Sequence, residues 1–220
     1  MCMNSNEPDN VWTIVVAAGS GQRFGGAKQF EMLADKTLVE WAVTAAQAVS
    51  DGVIVVLPPG AALSPGSVHG GASRSDSVRC GLAAVPADAT IICVHDAARP
   101  FASTGVFRSV IEAIQSGVDG AVPAVDVVDT IKTVNSEGVV MSTPDRSMLR
   151  AVQTPQAFRA TVLRRAYDAL VDGTDDAALV EKLGGKVVVV RGTPAARKIT
   201  TPEDLEWARQ YAHSLTNGEI

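Results

Sequence analysis

Short apolar runs alternate along this chain with segments of helix-like pattern, and this alternation limits the possible folds more than any other feature. Each run is almost unbroken in its apolarity, which is typical of parallel strands buried on both faces of a sheet. The predicted strands are residues 11–16, 53–57, 90–94, 121–125 and 186–190. The predicted helices are residues 38–49, 77–84, 106–116, 161–171, 175–183 and 202–213, the last with Thr201 as N-cap and Pro202 at its first position. We therefore predict an α/β chain in which helices cover both faces of a largely parallel sheet.

One stretch breaks the alternation. Residues 129–134 and 139–143 have the pattern of two strands around a turn that contains Gly138, which predicts an antiparallel hairpin. A two-stranded hairpin is marginally stable alone, so it packs either on its own domain or on a second subunit, and the pattern leaves both open. Residues 64–77, rich in Gly and Ser, are predicted to be a loop that leads into a helix.

Several global features bound the class of protein. The chain has 220 residues without a repeat or a linker-like tract, which predicts one domain over residues 11–220 after a disordered polar tail at 1–10. No secretory signal or membrane-spanning run is visible. The three cysteines are far apart, which predicts no disulfide framework and a cytoplasmic location. A formal net charge of −5 argues against nucleic acid or a membrane surface as partner and, taken alone, discourages any anionic ligand.

A glycine-rich loop follows the first predicted strand directly. Glycines such as Gly19 and Gly21 let backbone N–H groups approach a phosphate chain. The loop departs from the dinucleotide-binding motif, because Phe24 takes the place of its third glycine. It also departs from a Walker A loop, because Gln29 follows Lys28 where Ser or Thr would bind magnesium.

Two cations lie within this loop, Arg23 and Lys28. Fixed cations there suit a reaction in which charge builds up on an α-phosphate and a departing pyrophosphate. The alternative is a surface turn whose basic side chains face solvent.

Asp96 ends the third predicted strand, and ligands of open α/β sheets bind beyond the carboxyl ends of the strands. Asp96 is therefore a candidate for Mg²⁺ or a substrate hydroxyl, and equally for capping the next helix. Cys93 and His95 share a strand face nearby, but two ligands do not make a zinc site.

A second glycine loop, at residues 68–78, could offer backbone hydrogen bonds to a base and a ribose. Its alternative reading is ordinary helix capping by Ser73 or Ser77. Arg146 and Lys198, each taken singly, are more often solvated charges.

The motifs in their order resemble one family. They are Ala-Ala-Gly-x-Gly-x-Arg at 17–23, Lys28-Gln29, Gly70-Gly71 with Arg74 and Ser77, His-Asp-Ala-Ala-Arg-Pro at 95–100, Asp129-Thr-Ile-Lys132, Asp145-Arg146, Thr154-Pro-Gln156, Thr174-Asp175 and Lys-Ile-Thr-Thr-Pro-Glu-Asp at 198–204. Over residues 11 to about 210 the chain resembles the 2-C-methyl-D-erythritol 4-phosphate cytidylyltransferases. The resemblance implies a Rossmann-like three-layer nucleotidyltransferase fold with a mostly parallel sheet. It also implies a protruding β-hairpin arm, at about 129–155, exchanged in a homodimer.

The same resemblance implies the reaction and its residues. CTP and methylerythritol phosphate would give the CDP-alcohol and pyrophosphate, with Mg²⁺ as cofactor. The implied catalytic residues are Arg23, Lys28, Arg146 and Lys198. The implied CTP-binding residues are Ala17, Ala18, Gly19, Gly21, Arg23, Lys28, Gly71, Ala72, Ser77 and Ala97. The second substrate would be bound by Asp96, Arg99, Thr130, Arg146, Thr154 and Lys198, and Asp96 would also ligate the metal.

The resemblance also bears on the arm and on one position of the second glycine loop. Thr130, Arg146 and Thr154 flank the arm, which suggests that they reach into the partner's active site. Ala72 stands where the family often has an acidic residue, so only its backbone contact to the nucleotide remains.

The acceptor could instead be another polyol phosphate such as ribitol 5-phosphate. A non-catalytic nucleotide-binding dimer is the alternative of another class, although it would not need the cations for both substrates.

Overall fold

The computed structural model describes residues 8–19, 21, 24–169 and 173–218. Its strands are β1 (Val11–Val16), β2 (Met32–Leu33), β3 (Lys36–Thr37), β4 (Gly52–Leu57), β5 (Ser67–His69), β6 (Ile91–Asp96), β7 (Gly120–Asp126), β8 (Thr133–Val134), β9 (Val140–Ser142), β10 (Arg150–Val152), β11 (Gln156–Arg159) and β12 (Val187–Arg191). Its α-helices are α1 (Leu38–Gln47), α2 (Arg74–Ala84), α3 (Thr104–Gln115), α4 (Ala160–Asp168), α5 (Asp176–Lys182) and α6 (Pro202–Thr216).

A mixed sheet organises the fold. β1 lies between β4 and β6 in parallel register, β5 extends the sheet beyond β4, and β12 runs parallel to β7. Strand β11 joins the two halves, because it pairs antiparallel with both β6 and β7. β10 lies along β7 on the same side as β11, since Ala124 pairs with Val152 on one side and with Arg191 on the other. The carboxyl ends of the parallel strands therefore meet at one edge of the sheet.

The helices form two layers on the sheet. Ile14 of β1 packs with the helices of one face, α2, α4 and α5, whereas its neighbour Val15 packs with α1, α3 and α6 on the other. Alternate residues of a strand point to opposite faces, so a strand buried on both faces needs the unbroken apolar run seen in the sequence. The three-layer α/β architecture is as predicted.

Helix starts follow capping residues. Thr201 caps α6 with Asp204 in a capping box, and Pro202 takes the first helical position, which confirms the predicted start. α2 begins at Arg74, three residues before its prediction, because its first turn is polar and is fixed by a Ser73–Asp76 capping box. The predicted end of the fourth helix, at residues 170–171, lies outside the described residues.

Three local features differ from what the sequence predicted or left out. Residues 64–77 contain the edge strand β5 as well as a loop. β10 and β11 were not predicted, because strands of three and four residues owe their conformation to pairing with β6 and β7. The predicted disordered tail included Asp9 and Asn10, but Thr90 Oγ1 donates to Asp9 Oδ1 at 2.9 Å and Asn10 N donates to Thr90 Oγ1 at 3.0 Å, so both residues are bound to the domain. Residues 1–7 lie outside the described residues.

The predicted hairpin is present as β8 and β9, which pair with each other and with no other described strand. Nearly every residue from 128 to 150 is exposed, and β10 then returns the chain to the sheet. The protruding arm is therefore shorter than the predicted 129–155, because residues 150–155 pair with or pack on the sheet. Within the described ranges, no helix combines the length and apolarity needed to cross a membrane.

Candidate active site

A cavity of about 740 Å³ opens at the carboxyl edge of the sheet, where β1 and β6 end. It brings together eleven of the predicted site residues: Ala17, Ala18, Gly19, Gly21, Lys28, Gly71, Ala72, Ser77, Asp96, Ala97 and Lys198. These residues come from four separate parts of the sequence. Arg23, which belongs to the same loop, lies outside the described residues.

The two glycine loops pack closely against each other at this cavity. A Cβ added to Gly70 would lie 2.4 Å from the Ala18 Cβ and 2.7 Å from Ser77 Oγ, so the approach of the loops requires glycine there. Gly21 has a φ of +64° and also passes close to the backbone of Gly26. Backbone at such close range exposes N–H groups that can bind phosphate or a base.

Ser77 fixes the second loop and does not cap a helix. Its Oγ accepts from Gly71 N at 3.2 Å and donates to the carbonyl oxygen of Ser73 at 2.9 Å. Ser73 is the N-cap of α2, as one of the two alternatives proposed. The capping interpretation is therefore right for Ser73 and wrong for Ser77, which holds Gly71 in place at the cavity wall.

Two lysines from opposite ends of the sequence converge on the cavity. Lys28 Nζ donates to the carbonyl oxygen of Ile199 at 2.6 Å, and Lys198 Nζ pairs with Asp96 Oδ2 at 2.7 Å. Arg74 also lines the wall and donates from Nε to Asp96 Oδ1 at 3.0 Å. Three cations and one carboxylate thus surround the cavity among the described residues, so its local charge is positive although the chain is acidic. Such a wall favours an anionic ligand.

Asp96 is held as a carboxylate. Burial would raise its pKa, but the charges of Arg74 and Lys198 outweigh burial and hold that pKa well below its usual range. The helix-capping alternative for Asp96 was wrong, because α3, the next helix, is capped by Ser103. Asp96 instead presents a fixed negative charge between two cations.

Four predicted substrate residues do not line this cavity. Thr154 is buried, and its Oγ1 accepts from Asp96 N at 3.0 Å and lies 3.0 Å from His95 Nδ1. The suggestion that Thr154 reaches into a partner was therefore wrong, since it supports Asp96 of its own chain. Arg99 donates from Nη1 to the carbonyl oxygen of Ala196 at 2.8 Å, which braces the chain just before Lys198.

Thr130 and Arg146 belong to the arm. Both are exposed, and Arg146 Nη1 donates to the carbonyl oxygen of Val128 at 2.6 Å, at the base of the arm. The arm thus carries two predicted substrate residues on a surface separate from the cavity lining of its own chain.

The sequence reasoning gave no role to Arg74, and it missed Asp176, which receives a second ion pair from Arg74 Nη2 at 2.8 Å. Arg74 is part of a motif named above, but residues 64–77 were predicted to be a loop, and α2 in fact begins at Arg74. Asp176 lies 102 residues away and carried no signal of its own.

The donor set is compatible with Mg²⁺ only together with a substrate. The described residues contain no cluster of three or more His, Cys, Asp or Glu side chains that could hold a metal alone. Asp96 offers one carboxylate, and each of its oxygens has a lone pair beyond its present bond. Mg²⁺ is commonly held by one or two carboxylates plus substrate phosphates, so this wall fits the ion when a triphosphate is bound.

Comparison with known proteins identifies the family. The family model described as 2-C-methyl-D-erythritol 4-phosphate cytidylyltransferase matches residues 11–214. The chain belongs to this family. A protein of that name from Nocardia farcinica is 47% identical over 220 residues, covering 92% of this chain and 95% of that protein.

Solved structures of the family agree in fold. The crystal structure of the enzyme from Thermus thermophilus matches with a TM-score of 0.78 at 36% identity, covering 91% of this chain and 98% of that one. The 4-diphosphocytidyl-2C-methyl-D-erythritol synthase structure from Anaerococcus prevotii matches with a TM-score of 0.81 at 28% identity, covering 93% and 99%. The predicted nucleotidyltransferase fold is thereby confirmed.

Proposed function

We propose that this chain transfers the cytidylyl group of CTP to 2-C-methyl-D-erythritol 4-phosphate, giving 4-diphosphocytidyl-2-C-methyl-D-erythritol and pyrophosphate. The observation that carries the proposal is the cationic cavity between two glycine loops, in a chain that belongs to the cytidylyltransferase family. The product is an isoprenoid precursor of the non-mevalonate pathway.

The chemistry needs no protein nucleophile. An oxygen of the acceptor's phosphate attacks the α-phosphorus of CTP, a new P–O bond forms, and the bond to the departing pyrophosphate breaks. Negative charge grows on the α-phosphate and on the leaving group, so fixed cations lower the barrier. We assign this stabilisation to Lys28 and Arg23, and we assign the orientation of the acceptor to Lys198 and to Arg146.

The remaining contacts divide between the substrates. We assign CTP to the two glycine loops, with Ala17, Ala18, Gly19 and Gly21 at the triphosphate side and Gly71, Ala72, Ser77 and Ala97 around the cytidine. We assign Asp96, Arg99, Thr130 and Thr154 to the acceptor side, Thr154 acting through its hydrogen bond to Asp96. Mg²⁺, which we assign to Asp96 and the phosphates, would neutralise phosphate charge when bound.

We further propose a homodimer formed through the arm. Apolar side chains are concentrated there in exposed positions, with Val128 and Met148 each 81% exposed and Met141 66% exposed. Such a patch on a marginally stable hairpin favours burial against a second copy. A partner's arm would also bring Thr130 and Arg146 to the acceptor side of the cavity. The free thiols of Cys80 and Cys93 are compatible with our assignment of the enzyme to the cytoplasm.

The dimer is tested by replacing Met141 with Lys in the arm. We expect sedimentation velocity to report a shift towards monomer, because the exposed Met141 side chain contributes nothing to the core of its own chain and would be buried only in the dimer. Replacement of Lys186, an exposed residue directly before β12 and outside the arm, by Met serves as a control. A dimer that persists unchanged in Met141→Lys would contradict the arm as the interface.

The reaction is tested by pyrophosphate release with a panel of substrates. We expect release from CTP only when methylerythritol phosphate is present, and little release with ATP or UTP. Faster release with ribitol 5-phosphate would transfer the assignment to that acceptor. Binding of CTP without release with any acceptor would leave a non-catalytic nucleotide-binding dimer as the function.

A further inference from the structure

The Asp96 carboxylate is connected through Arg74 to a buried polar chain behind the cavity. The Arg74 guanidinium spans two carboxylates, with Nε at 3.0 Å from Asp96 Oδ1 and Nη2 at 2.8 Å from Asp176 Oδ2. Because the guanidinium is planar and rigid, turning it towards one carboxylate turns it away from the other. The direction of Arg74 thus depends on where Asp176 is held.

Asp176 is fixed by the start of α5. Its side chain is fully buried, and it is the first residue of that helix. Gln156 of β11 anchors the same turn, donating from Nε2 to Asp175 Oδ2 at 2.7 Å and accepting at Oε1 from Ala177 N at 3.1 Å. The backbone that carries Asp176 is therefore tied to the central sheet.

Tyr167 completes the chain of contacts from α4. Its hydroxyl donates to Asp176 Oδ1 at 2.5 Å, so each oxygen of Asp176 accepts from a different donor. Burial, together with the Asp176 carboxylate, raises the pKa of Tyr167, which keeps the hydroxyl protonated as a donor. Asp176 is in this way shared between Tyr167 and Arg74.

We propose that Tyr167 and Asp176 are positioning residues for the transfer reaction, which hold Arg74 so that Asp96 stays divided between Arg74 and Lys198. The inference rests on the proposed function. Without the hydroxyl, Asp176 Oδ1 would be buried and unpaired, which is costly. Its carboxylate would then turn to bind Arg74 through both oxygens. Arg74 would leave Asp96, and Asp96 would shift towards Lys198 and draw that cation from the acceptor.

The first test replaces Tyr167 with Phe, and Tyr211 with Phe as its matched control. Tyr211 loses the same hydroxyl in an aromatic cluster with Phe101 and Trp207, on the opposite face of the sheet. In Tyr167→Phe we expect the KM for methylerythritol phosphate to rise about 3- to 10-fold while the KM for CTP stays within about twofold. Both KM values should be unchanged in Tyr211→Phe.

A structural effect alone would give a different pattern. Partial unfolding lowers the active fraction and hence the apparent kcat, but it leaves both KM values as they were. That pattern in Tyr167→Phe, or equal changes in both KM values, would overturn the positioning role. A wild-type enzyme that releases no pyrophosphate with this acceptor would overturn the proposed function itself, which keeps the two failures apart.

The second test asks whether Tyr167 acts through Arg74. Lys in place of Arg74 keeps the charge, but its single ammonium lacks the fork that spans two carboxylates. We expect Tyr167→Phe to change the KM for methylerythritol phosphate by less than about twofold in the Arg74→Lys background. An undiminished 3- to 10-fold effect there would show that Tyr167 acts by another route and would overturn the inference.

Discussion

Gly81 sets the distance between α2 and the sheet, and its replacement by Ala tests how tightly that layer is packed. A Cβ at this position would lie 2.5 Å from Ile14 Cγ2 and 3.0 Å from Val56 Cγ2. Ordinary carbon contacts are about 3.5–4.0 Å, so the added methyl is about 1 Å too close to Ile14. Ile14 and Val56 are fully buried and β-branched, which leaves them little freedom to move aside.

The expected cost follows from two opposing terms. Ala in place of Gly in a helix interior gains about 1 kcal/mol. Overpacking in a dense core costs about 1–3 kcal/mol. Because the contact is so short, we expect the second term to prevail, with a net loss of about 1 kcal/mol. In a chain of this size that corresponds to a fall in Tm of about 2–4 °C.

The matched control is Gly105→Ala in α3. There the nearest atom to an added Cβ is Ser103 Oγ at 3.6 Å, an ordinary contact. No clash opposes the helix gain there, and because Gly105 lies in the first turn of α3 we expect a stabilisation of about 0.5 kcal/mol, at the low end of the range for a helix interior. Thermal unfolding followed by circular dichroism measures both variants. Equal stabilisation of Gly81→Ala and Gly105→Ala would refute the claim that α2 packs too closely on the sheet to leave room for a methyl group at position 81.

Three further predictions concern the catalytic role of Lys28, the buried hydrogen bond of Thr154 and the stability of the protein at acid pH. Lys28→Met should lower kcat roughly 100-fold, about 3 kcal/mol of barrier, with little change in Tm. The exposed control Lys186→Met should leave kcat within about threefold of wild type in steady-state kinetics. If Lys28→Met also stays within about threefold, Lys28 has no part in the mechanism. Thr154→Val leaves the buried Asp96 N–H without its acceptor and should lower the free energy of unfolding, measured in urea, by about 1–3 kcal/mol. The control Thr44→Val, at an exposed position, should lower it by almost nothing. Equal unfolding midpoints for the two variants would contradict a supporting role of Thr154 for Asp96. Burial would raise the pKa of Asp204, but hydrogen bonds from Thr200 and Thr201 outweigh it and lower that pKa below the unfolded value of about 3.9. The ionised Asp204 therefore stabilises the fold fully above about pH 4, and this stabilisation is lost as the pH falls further. The difference in Tm between wild type and Asp204→Asn should accordingly become smaller from about pH 5 to about pH 3. A difference in Tm that stays constant over this range would contradict the lowered pKa of Asp204.

Much of the fold was predictable because its signals are local. The run 11–16 predicted β1 to the residue, since a parallel strand buried on both faces needs apolar side chains at every position. The glycine loop after it and Asp96 at the end of β6 were placed at one edge by topology alone, because parallel strands end together. The order of motifs then pointed to the family.

The parts that were missed are those in which distant residues decide each other's role. β11 is a strand of four residues that becomes ordered between β6 and β7, and its own sequence carries no clear period. Thr154 was assigned to a partner because it flanks the arm in sequence, yet the return of β10 and β11 to the sheet buries it beside Asp96. Sequence neighbours of the arm therefore belong to two different surfaces.

The sequence by itself determined the layers of this protein, the positions of its two glycine loops and its family, because apolar periodicity, glycine positions and motif order act within short stretches of chain. Only the tertiary structure decided which partners the charged side chains of the site bind. Lys28 meets Ile199, and Arg74 is shared between Asp96 and Asp176, across separations of 171, 22 and 102 residues. Electrostatic interaction depends on distance in space and on burial, and neither quantity can be read from the order of residues along the chain.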